Sequence, residues 1–231
     1  MYDTKVLDLG GSLVAPDEIA VDFLKDFKRL IVDYLTKDSS RRLIMVVGGG
    51  SPARKYQAAY REILETPEND EADWIGITAT RLNARLVKAV FQEHCSDDVV
   101  TDPTNVASFT GQVLVASGWK PGFSTDYDAV LLAEKFGAGV LINLTNIAKV
   151  YTADPRVDKN AKPLDRITWK EFSEITGTEW VPGKNTPFDP MAVKKAREIN
   201  LIVVSSLGTD LENLRRILEG ADYVGTTVGP E

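Results

Sequence analysis

Two short apolar runs near the start of the chain each end in consecutive glycines, and each is followed by a helical pattern. Residues 5–9 lead into Gly10-Gly11, and residues 42–47 lead into Gly48-Gly49-Gly50. A buried strand that passes through glycines into a helix aims free backbone N–H groups at one place, and the missing Cβ atoms let an anion approach them. The pattern predicts either a phosphate-binding turn or a tight structural turn of the same appearance.

The alternation of strand and helix continues along the chain. It predicts strands at 5–9, 42–47, 112–116, 140–144 and 201–205, and helices at 18–36, 51–64, 75–94, 127–136, 189–200 and 210–218. Residues 66–73 are polar and are predicted to form an exposed loop. Such alternation predicts a mainly parallel sheet with helices on both faces, a three-layer α/β sandwich. The 231 residues, 43% of them apolar, suffice for one domain or for two closely joined lobes.

Composition excludes several classes of protein. A net charge of −7 argues against sequence-independent binding of nucleic acids. The single cysteine, Cys95, excludes a disulfide framework and favours a reducing compartment. The N-terminus lacks a signal-peptide pattern, and no apolar run approaches the roughly 20 residues that span a bilayer. We therefore expect a cytoplasmic protein with neither nucleic-acid nor membrane partners. We predict no metal site, because His94 and Cys95 are too few for zinc and fit the end of a helix.

The glycine turns match none of the common catalytic signatures. The triple-glycine segment lacks the lysine of a P-loop and the spacing of the dinucleotide fingerprint, and the chain has no G-x-S-x-G elbow. Arg54, about one helical turn after the glycines, can add a fixed positive charge. Glycines at 118–122 and Gly208 follow two further strands, so the glycine turns are expected at one edge of the sheet.

Three other residues have two interpretations each. Asp126 could be a helix N-cap, or a carboxylate that orients cations around a transferring phosphoryl group. Asp154 could bind a ligand or simply occupy a turn before proline, and Tyr151 could stack on a base or pack. The segment 177–187, rich in glycine and proline, could be a lid or hinge.

Several collinear segments together carry a family resemblance. They are Asp8-Leu9-Gly10-Gly11-Ser12, Val46-Val47-Gly48-Gly49-Gly50 with Ala53-Arg54-Lys55-Tyr56, Ile75-Gly76-Ile77 with Thr80-Arg81-Leu82-Asn83-Ala84, Pro121-Gly122-Phe123-Ser124-Thr125-Asp126, Thr145-Asn146-Ile147 with Val150-Tyr151-Thr152-Ala153-Asp154-Pro155, and Gly225-Thr226-Thr227. The chain resembles the amino acid kinase superfamily, which has the carbamate kinase-like fold, and within it the archaeal-type uridylate (UMP) kinases.

The resemblance implies an enzyme of pyrimidine nucleotide biosynthesis that transfers a phosphoryl group from ATP to UMP. It implies a homohexamer, Mg²⁺ accompanying ATP, and one domain, 1–231, whose lobes 1–136 and 137–231 hold the acceptor and ATP. Catalytic roles are expected for Arg54 and Asp126. The residues expected at ATP are Gly11, Ser12, Gly50, Arg54, Thr145, Asn146, Tyr151 and Asp154. Those expected at UMP are Gly49, Asp73, Trp119, Lys120, Pro121, Gly122, Phe123, Ser124 and Thr125.

The chain departs from the family pattern at several positions. Many members have lysines in place of Asp8 and Asn146, although the archaeal-type pattern also has Asp and Asn there. The loop 147–149 lacks the usual Asp and Gly, and Lys149 could supply a replacement cation. These departures leave two alternatives: a kinase of the same fold with another small carboxylate or phosphate acceptor, and a catalytically weak nucleotide-binding homologue.

Overall fold

The computed structural model describes residues 2–155, 157–177 and 187–230. Seven strands occur in this part of the chain: β1 (Asp3–Leu9), β2 (Arg41–Val47), β3 (Val113–Ala116), β4 (Val140–Thr145), β5 (Arg166–Thr168), β6 (Ile202–Leu207) and β7 (Thr226–Gly229). The helices are α1 (Gly11–Val14), α2 (Val21–Thr36), α3 (Gly50–Ile63), α4 (Asn69–Val90), α5 (Thr125–Phe136), α6 (Trp169–Thr176), α7 (Pro190–Glu198) and α8 (Leu211–Glu219). The segment 177–187 lies almost entirely outside the described residues.

The described strands form one sheet in the order β3-β2-β1-β4-β6-β7-β5. The first five strands in that order are parallel, and β7 runs antiparallel to β6 and parallel to β5. The mainly parallel sheet is therefore confirmed. Its register places Asp8, near the end of β1, opposite Val46 on one side and Asn143 on the other.

Helices cover both faces of the sheet, because successive side chains of each buried strand point to opposite faces. Leu7 and Leu9 belong to one hydrophobic core with residues of α2, α4 and α8. Val6 belongs to the other core, with residues of α5, α6 and α7. The predicted three-layer sandwich is confirmed. In α3, by contrast, only Gly50 and Ser51 of the first turn are buried.

Several predicted boundaries were wrong. Helix α4 begins at Asn69 rather than at residue 75, so Asp73 lies on a helix and not in an exposed loop. Helix α5 begins at Thr125, and its N-cap is Ser124, whose Oγ accepts the Tyr127 N–H at 3.2 Å. Asp126 is therefore a first-turn residue and not the N-cap. The error has a simple cause, since Ser, Thr and Asp in succession are all suitable capping residues.

Candidate active site

Five neighbouring parallel strands end at the same edge of the sheet. In spatial order these are β3, β2, β1, β4 and β6. At their carboxyl ends lie Gly118, the triple glycine, the double glycine, Thr145 and Gly208 respectively. Ligands of open α/β sheets bind beyond the carboxyl ends of the strands. The glycine-bearing loops thus form one continuous row and do not face separate regions of the surface.

The two central turns of this row are in direct backbone contact. A Cβ at Gly11 would overlap the backbone nitrogen of Gly50 and lie 2.5 Å from the carbonyl carbon of Gly48. Gly50 has a φ of +66°, a conformation that favours glycine. Ser51 donates its N–H to the Ala15 carbonyl at 2.9 Å, which fixes the start of α3 against the end of α1. Glycine is therefore required here by both space and conformation.

The amino-terminal end of α3 suits an anion. Its N-cap is Gly49, which has no side chain that could cap the helix, and the first turn contains no acidic residue. The first N–H groups of a helix lack intrahelical acceptors and carry a partial positive charge. In α3 the Ser51 N–H is donated to Ala15 and Pro52 has no N–H, so among the first three residues the Gly50 N–H is the one without an acceptor in the described part of the chain. Arg54 is exposed on this helix, and no hydrogen bond or ion pair involves it within the part of the chain that the structure describes. Its guanidinium therefore remains available to a ligand.

The loop after β3, residues 118–125, is here called the acceptor loop, and α4 holds its backbone. Gly118 donates its N–H to Thr80 Oγ1 at 2.9 Å, and Gly122 donates its N–H to Asp73 Oδ2 at 3.0 Å. The same helix reaches the triple-glycine turn, because Asn83 Nδ2 donates to the carbonyls of Gly48 and Gly49. One helix thus sets the distance between the acceptor loop and the glycine turn.

Aromatic rings follow one another along the acceptor loop. The ring centroids of Trp119 and Phe123 are 5.1 Å apart, and those of Phe123 and Tyr127 are 5.0 Å apart. The ammonium of Lys120 lies 3.9 Å from the centroid of Trp119, which is a cation–π distance. These contacts give the half-buried loop a defined shape.

Three carboxylates meet between β1 and α5. Asp8 and Asp128 are buried, and Asp126 is partly exposed. Burial raises the pKa of Asp8 well above its ordinary value, and the nearby carboxylates of Asp126 and Asp128 raise it further. Asp8 Oδ2 has no hydrogen-bond partner within the described residues. These effects favour the protonated, neutral form of Asp8 beside Asp126 and Asp128.

Asp126 joins the two halves of the chain. Its Oδ2 accepts the backbone N–H of Asp189 at 2.8 Å, which connects the first turn of α5 to the N-cap of α7. Burial raises the pKa of Asp126, and this effect is opposed by the hydrogen bonds from Asp8 and Asp189. The structure therefore gives Asp126 a bridging position, which neither of its two interpretations anticipated.

Burial also raises the pKa of Asp128 to about 7, although a hydrogen bond from the Trp119 N–H opposes the shift. The carboxylates of Asp126, Asp102 and Asp189 raise this pKa further, and Asp8 also lies close by. In the unfolded chain the carboxyl titrates near 3.8. Between these two pH values the folded protein holds the extra proton. Its free energy of unfolding must therefore fall as the pH rises towards 7.

We expect Asp128→Asn to remove this part of the pH dependence, because the amide does not titrate. Relative to wild type, the variant should gain roughly 2 to 3 kcal/mol between pH 5 and pH 8, from about two pKa units at 1.4 kcal/mol each. Urea unfolding of both proteins at the two pH values measures the difference. A stability difference that is the same at pH 5 and pH 8 would contradict the prediction.

The loop after β4 adjoins the glycine row at its other end. Gly208 donates its N–H to the Thr145 carbonyl at 2.8 Å, and Gly10 donates to the Leu144 carbonyl at 3.3 Å. Thr145 Oγ1 closes a local turn with Ile147, and Asn146 is exposed.

The residues of this loop that lie farther from β4 have other surroundings. Tyr151 pairs with Pro163 in an isolated bridge, and Asp154 is exposed. Lys149 forms an ion pair with Asp165, so the expectation that Lys149 supplies a replacement cation has no support. The structure thus brings Thr145 to the row of loops, whereas no hydrogen bond within the described residues joins Tyr151 to the glycine turns.

Sequence reasoning missed four residues that shape the site: Thr80, Arg81, Asn83 and Asp128. The first three lie in the segment 80–84, which contributes to the family resemblance without indicating a role for any of them. Asp73, Gly76, Thr80 and Asn83 are separated by three or four residues and so lie on one face of α4. The predicted helix 75–94 already contained Thr80 and Asn83, but it left out Asp73, so their common face could not be connected with a residue expected at UMP.

Comparison with known proteins agrees with this geometry. The sequence profile of the amino acid kinase family matches residues 3–205. The uridylate kinase of Methanospirillum hungatei is 38% identical over 231 residues, covering 97% of this chain and 94% of that protein. The uridylate kinase of Hyperthermus butylicus is 37% identical over 193 residues, covering 81% and 83% respectively. The crystal structure of uridylate kinase from Archaeoglobus fulgidus has a TM-score of 0.81 at 33% identity and covers 97% of this chain and 99% of that one.

Proposed function

The chain belongs to the amino acid kinase family, and we propose that it is an ATP-dependent UMP kinase that forms ADP and UDP in pyrimidine nucleotide biosynthesis. The observation that carries the proposal is the backbone contact between the two glycine turns at the middle of the loop row. The acceptor loop lies on one side of this contact and the β4 loop on the other. Two phosphate groups held there would meet end to end, as an in-line transfer requires.

Phosphoryl transfer needs alignment of the two phosphates and stabilisation of developing charge more than it needs a protein base. We assign the ATP phosphates to Gly11, Ser12, Gly50 and Arg54. The nucleoside of ATP is assigned to the β4 loop through Thr145, Asn146, Tyr151 and Asp154. Arg54 supplies positive charge to the transferring group, because it projects from the first turns of α3 and has no competing partner among the residues that the structure describes.

We assign UMP to Gly49, Asp73 and the acceptor loop from Trp119 to Thr125. The support is spatial, since α4 carries Asp73 and also contacts both Gly49 and the acceptor loop. We also propose the division into an acceptor lobe, 1–136, and an ATP lobe, 137–231. The sheet supports it, because β1–β3 occupy one side and β4–β7 the other. Asp126 bridges the two lobes through the Asp189 N–H, which supports a role at the reaction centre.

Mg²⁺ would enter with ATP and neutralise charge on its phosphates. The described residues contain no group of three or more His, Cys, Asp or Glu side chains arranged around one metal position. We therefore assign no residue of the chain to the metal and derive no step from it.

We propose that the protein assembles as a homohexamer in the cytoplasm. Large apolar side chains stand exposed on α3 and α4, among them Tyr56 at 70%, Ile63 at 78% and Leu82 at 70% exposure. Exposed apolar patches commonly mark contact surfaces between subunits. Among the described helices, none has the length and apolar character needed to cross a membrane. Light scattering of the purified protein tests the number of subunits.

The decisive experiment is a panel of phosphate acceptors. UMP, CMP, dUMP, AMP and GMP, together with small carboxylates, are each incubated with ATP and Mg²⁺, and both ADP and the phosphorylated product are quantified. UMP should give the largest kcat/KM. A different preferred acceptor would support the kinase of the same fold with other specificity. ATP binding without transfer to any acceptor would support the catalytically weak homologue.

We expect Asp73→Asn to raise the KM for UMP about tenfold, the equivalent of about 1.4 kcal/mol, with a smaller change in kcat. A carboxylate can accept hydrogen bonds from both ribose hydroxyls, whereas an amide has one acceptor oxygen and can use it for the Gly122 N–H. The increase should be smaller for dUMP, which lacks one hydroxyl.

Steady-state kinetics with both acceptors measure this difference. Asp70→Asn, an exposed residue in the first turn of the same helix, is the matched control and should leave both KM values unchanged. An unaltered KM for UMP in Asp73→Asn would remove Asp73 from the acceptor site.

A further inference from the structure

The first two residues of the acceptor loop, Gly118 and Trp119, are held by side chains that are not assigned to any ligand. Trp119 donates its backbone N–H to Asp128 Oδ2 at 3.1 Å, and its carbonyl accepts from Arg81 Nη2 at 3.3 Å. The preceding N–H, of Gly118, is held by Thr80. Backbone groups in loops are usually exposed to water, so this concentration of side-chain partners on two residues is unusual.

Among these partners, Asp128 is the one whose burial is most unfavourable for the stability of the fold. The residue is completely buried, and its Oδ1 has no hydrogen-bond partner within the described residues. Its other oxygen receives only the Trp119 N–H. A buried carboxylate with one hydrogen bond, next to Asp8 and Asp126, destabilises the fold relative to an apolar residue of similar size. Core packing alone therefore does not explain an aspartate at this position.

The position of Asp128 in the helix gives its side chain a fixed reach. It lies in the first turn of α5, which follows the acceptor loop directly, and its neighbours Ala129 and Val130 are fully buried. Because this part of α5 is packed in the core, the position of the Asp128 side chain is fixed. Its hydrogen bond with the Trp119 N–H therefore fixes the start of the loop relative to the core. The same hydrogen bond fixes the backbone from which the Trp119 side chain extends, and the ring contacts Phe123 and Lys120.

We propose that Asp128 is a positioning residue, which orders the acceptor loop through the Trp119 N–H and so sets the affinity for the monophosphate acceptor without touching it. The inference rests on the proposed function, because it takes this loop as the acceptor site. A loop that is already ordered loses less conformational entropy when the acceptor binds. Removal of the hydrogen bond should therefore weaken acceptor binding and leave ATP binding nearly unaffected.

Two substitutions separate the hydrogen bond from the packing. Asp128→Leu fills a similar volume but cannot accept the Trp119 N–H, whereas Asp128→Asn keeps one acceptor oxygen. For Leu we expect about a tenfold higher KM for UMP, with kcat and the KM for ATP within about twofold of wild type. For Asn we expect a KM for UMP within about twofold of the wild-type value. Glu134→Leu, which removes a surface carboxylate of α5 paired with Lys195, is the control and should alter neither KM.

A merely structural role for Asp128 predicts a different pattern. Thermal stability, kcat and both KM values of the Leu variant would then worsen together, and this outcome would overturn the proposal. An unchanged KM for UMP in a folded Leu variant would also overturn it.

Hydrogen–deuterium exchange tests the same hydrogen bond without any substrate. In the ligand-free protein, the Trp119 amide should exchange about tenfold faster in the Leu variant and at the wild-type rate in the Asn variant. Equal exchange in all three proteins would reject the positioning role. If the wild-type protein phosphorylates no monophosphate, the proposed function fails by itself, and the exchange rates still decide whether Asp128 orders the loop.

Discussion

Replacing Gly11 by alanine is expected to abolish phosphoryl transfer and to lower the free energy of unfolding by about 3 kcal/mol or more. The new Cβ would overlap the Gly50 nitrogen and crowd the Gly48 carbonyl group. Both obstacles are backbone atoms, so no rotation of a side chain relieves the overlap. The two glycine turns must separate, and the contact that we propose aligns the two phosphates is lost.

Urea unfolding and ADP release by the purified variant measure the two effects. Gly139→Ala is the matched control, because a Cβ at Gly139 meets no atom within 4 Å and its φ is not positive. This control should keep both the stability and the activity of wild type. Wild-type activity in a folded Gly11→Ala protein would show that the contact between the turns is not the centre of the site.

Arg54→Ala is expected to lower kcat about a hundredfold, while the KM for UMP changes by less than about threefold. A cation aimed at the transferring phosphoryl group stabilises charge that develops in the transition state, and such contacts contribute about 3 kcal/mol. Arg54 has no partner within the described residues, so the substitution disrupts no ion pair of the protein. The fold should therefore be unaffected, and the loss should be confined to catalysis.

The neighbouring residue provides the comparison for this prediction. Lys55 is also exposed on α3 but forms a surface ion pair with Asp17, and surface pairs contribute little. Lys55→Ala should keep kcat within about twofold of wild type. Arg54→Lys should recover part of the lost rate, since it restores the charge without the planar guanidinium. An unchanged kcat in Arg54→Ala would refute the transition-state role of Arg54.

The local order of the chain could be predicted from its sequence because it depends on short-range properties. Apolar runs that pass into glycines predicted β1 and β2, and the alternation of strand and helix predicted the parallel sheet. The boundaries failed where several residues offered the same local chemistry. Ser124, Thr125 and Asp126 can all cap a helix, and in the structure Ser124 is the N-cap, with its side chain accepting the Tyr127 N–H.

What the sequence determined was the chemistry at each strand end: glycines where an anion can approach, Arg54 one turn later, and carboxylates at fixed distances along the chain. What only the tertiary structure decided was which of these groups meet. Strand order brought β4, a strand of the second half, beside β1, and the start of α4 at Asn69 brought Asp73 to Gly122. The burial of Asp8 and Asp128 beside Asp126 could not be seen in advance either. The physical reason is that hydrogen bonds and buried charges depend on distances between segments far apart in the chain, and those distances are fixed when the sheet and helices pack.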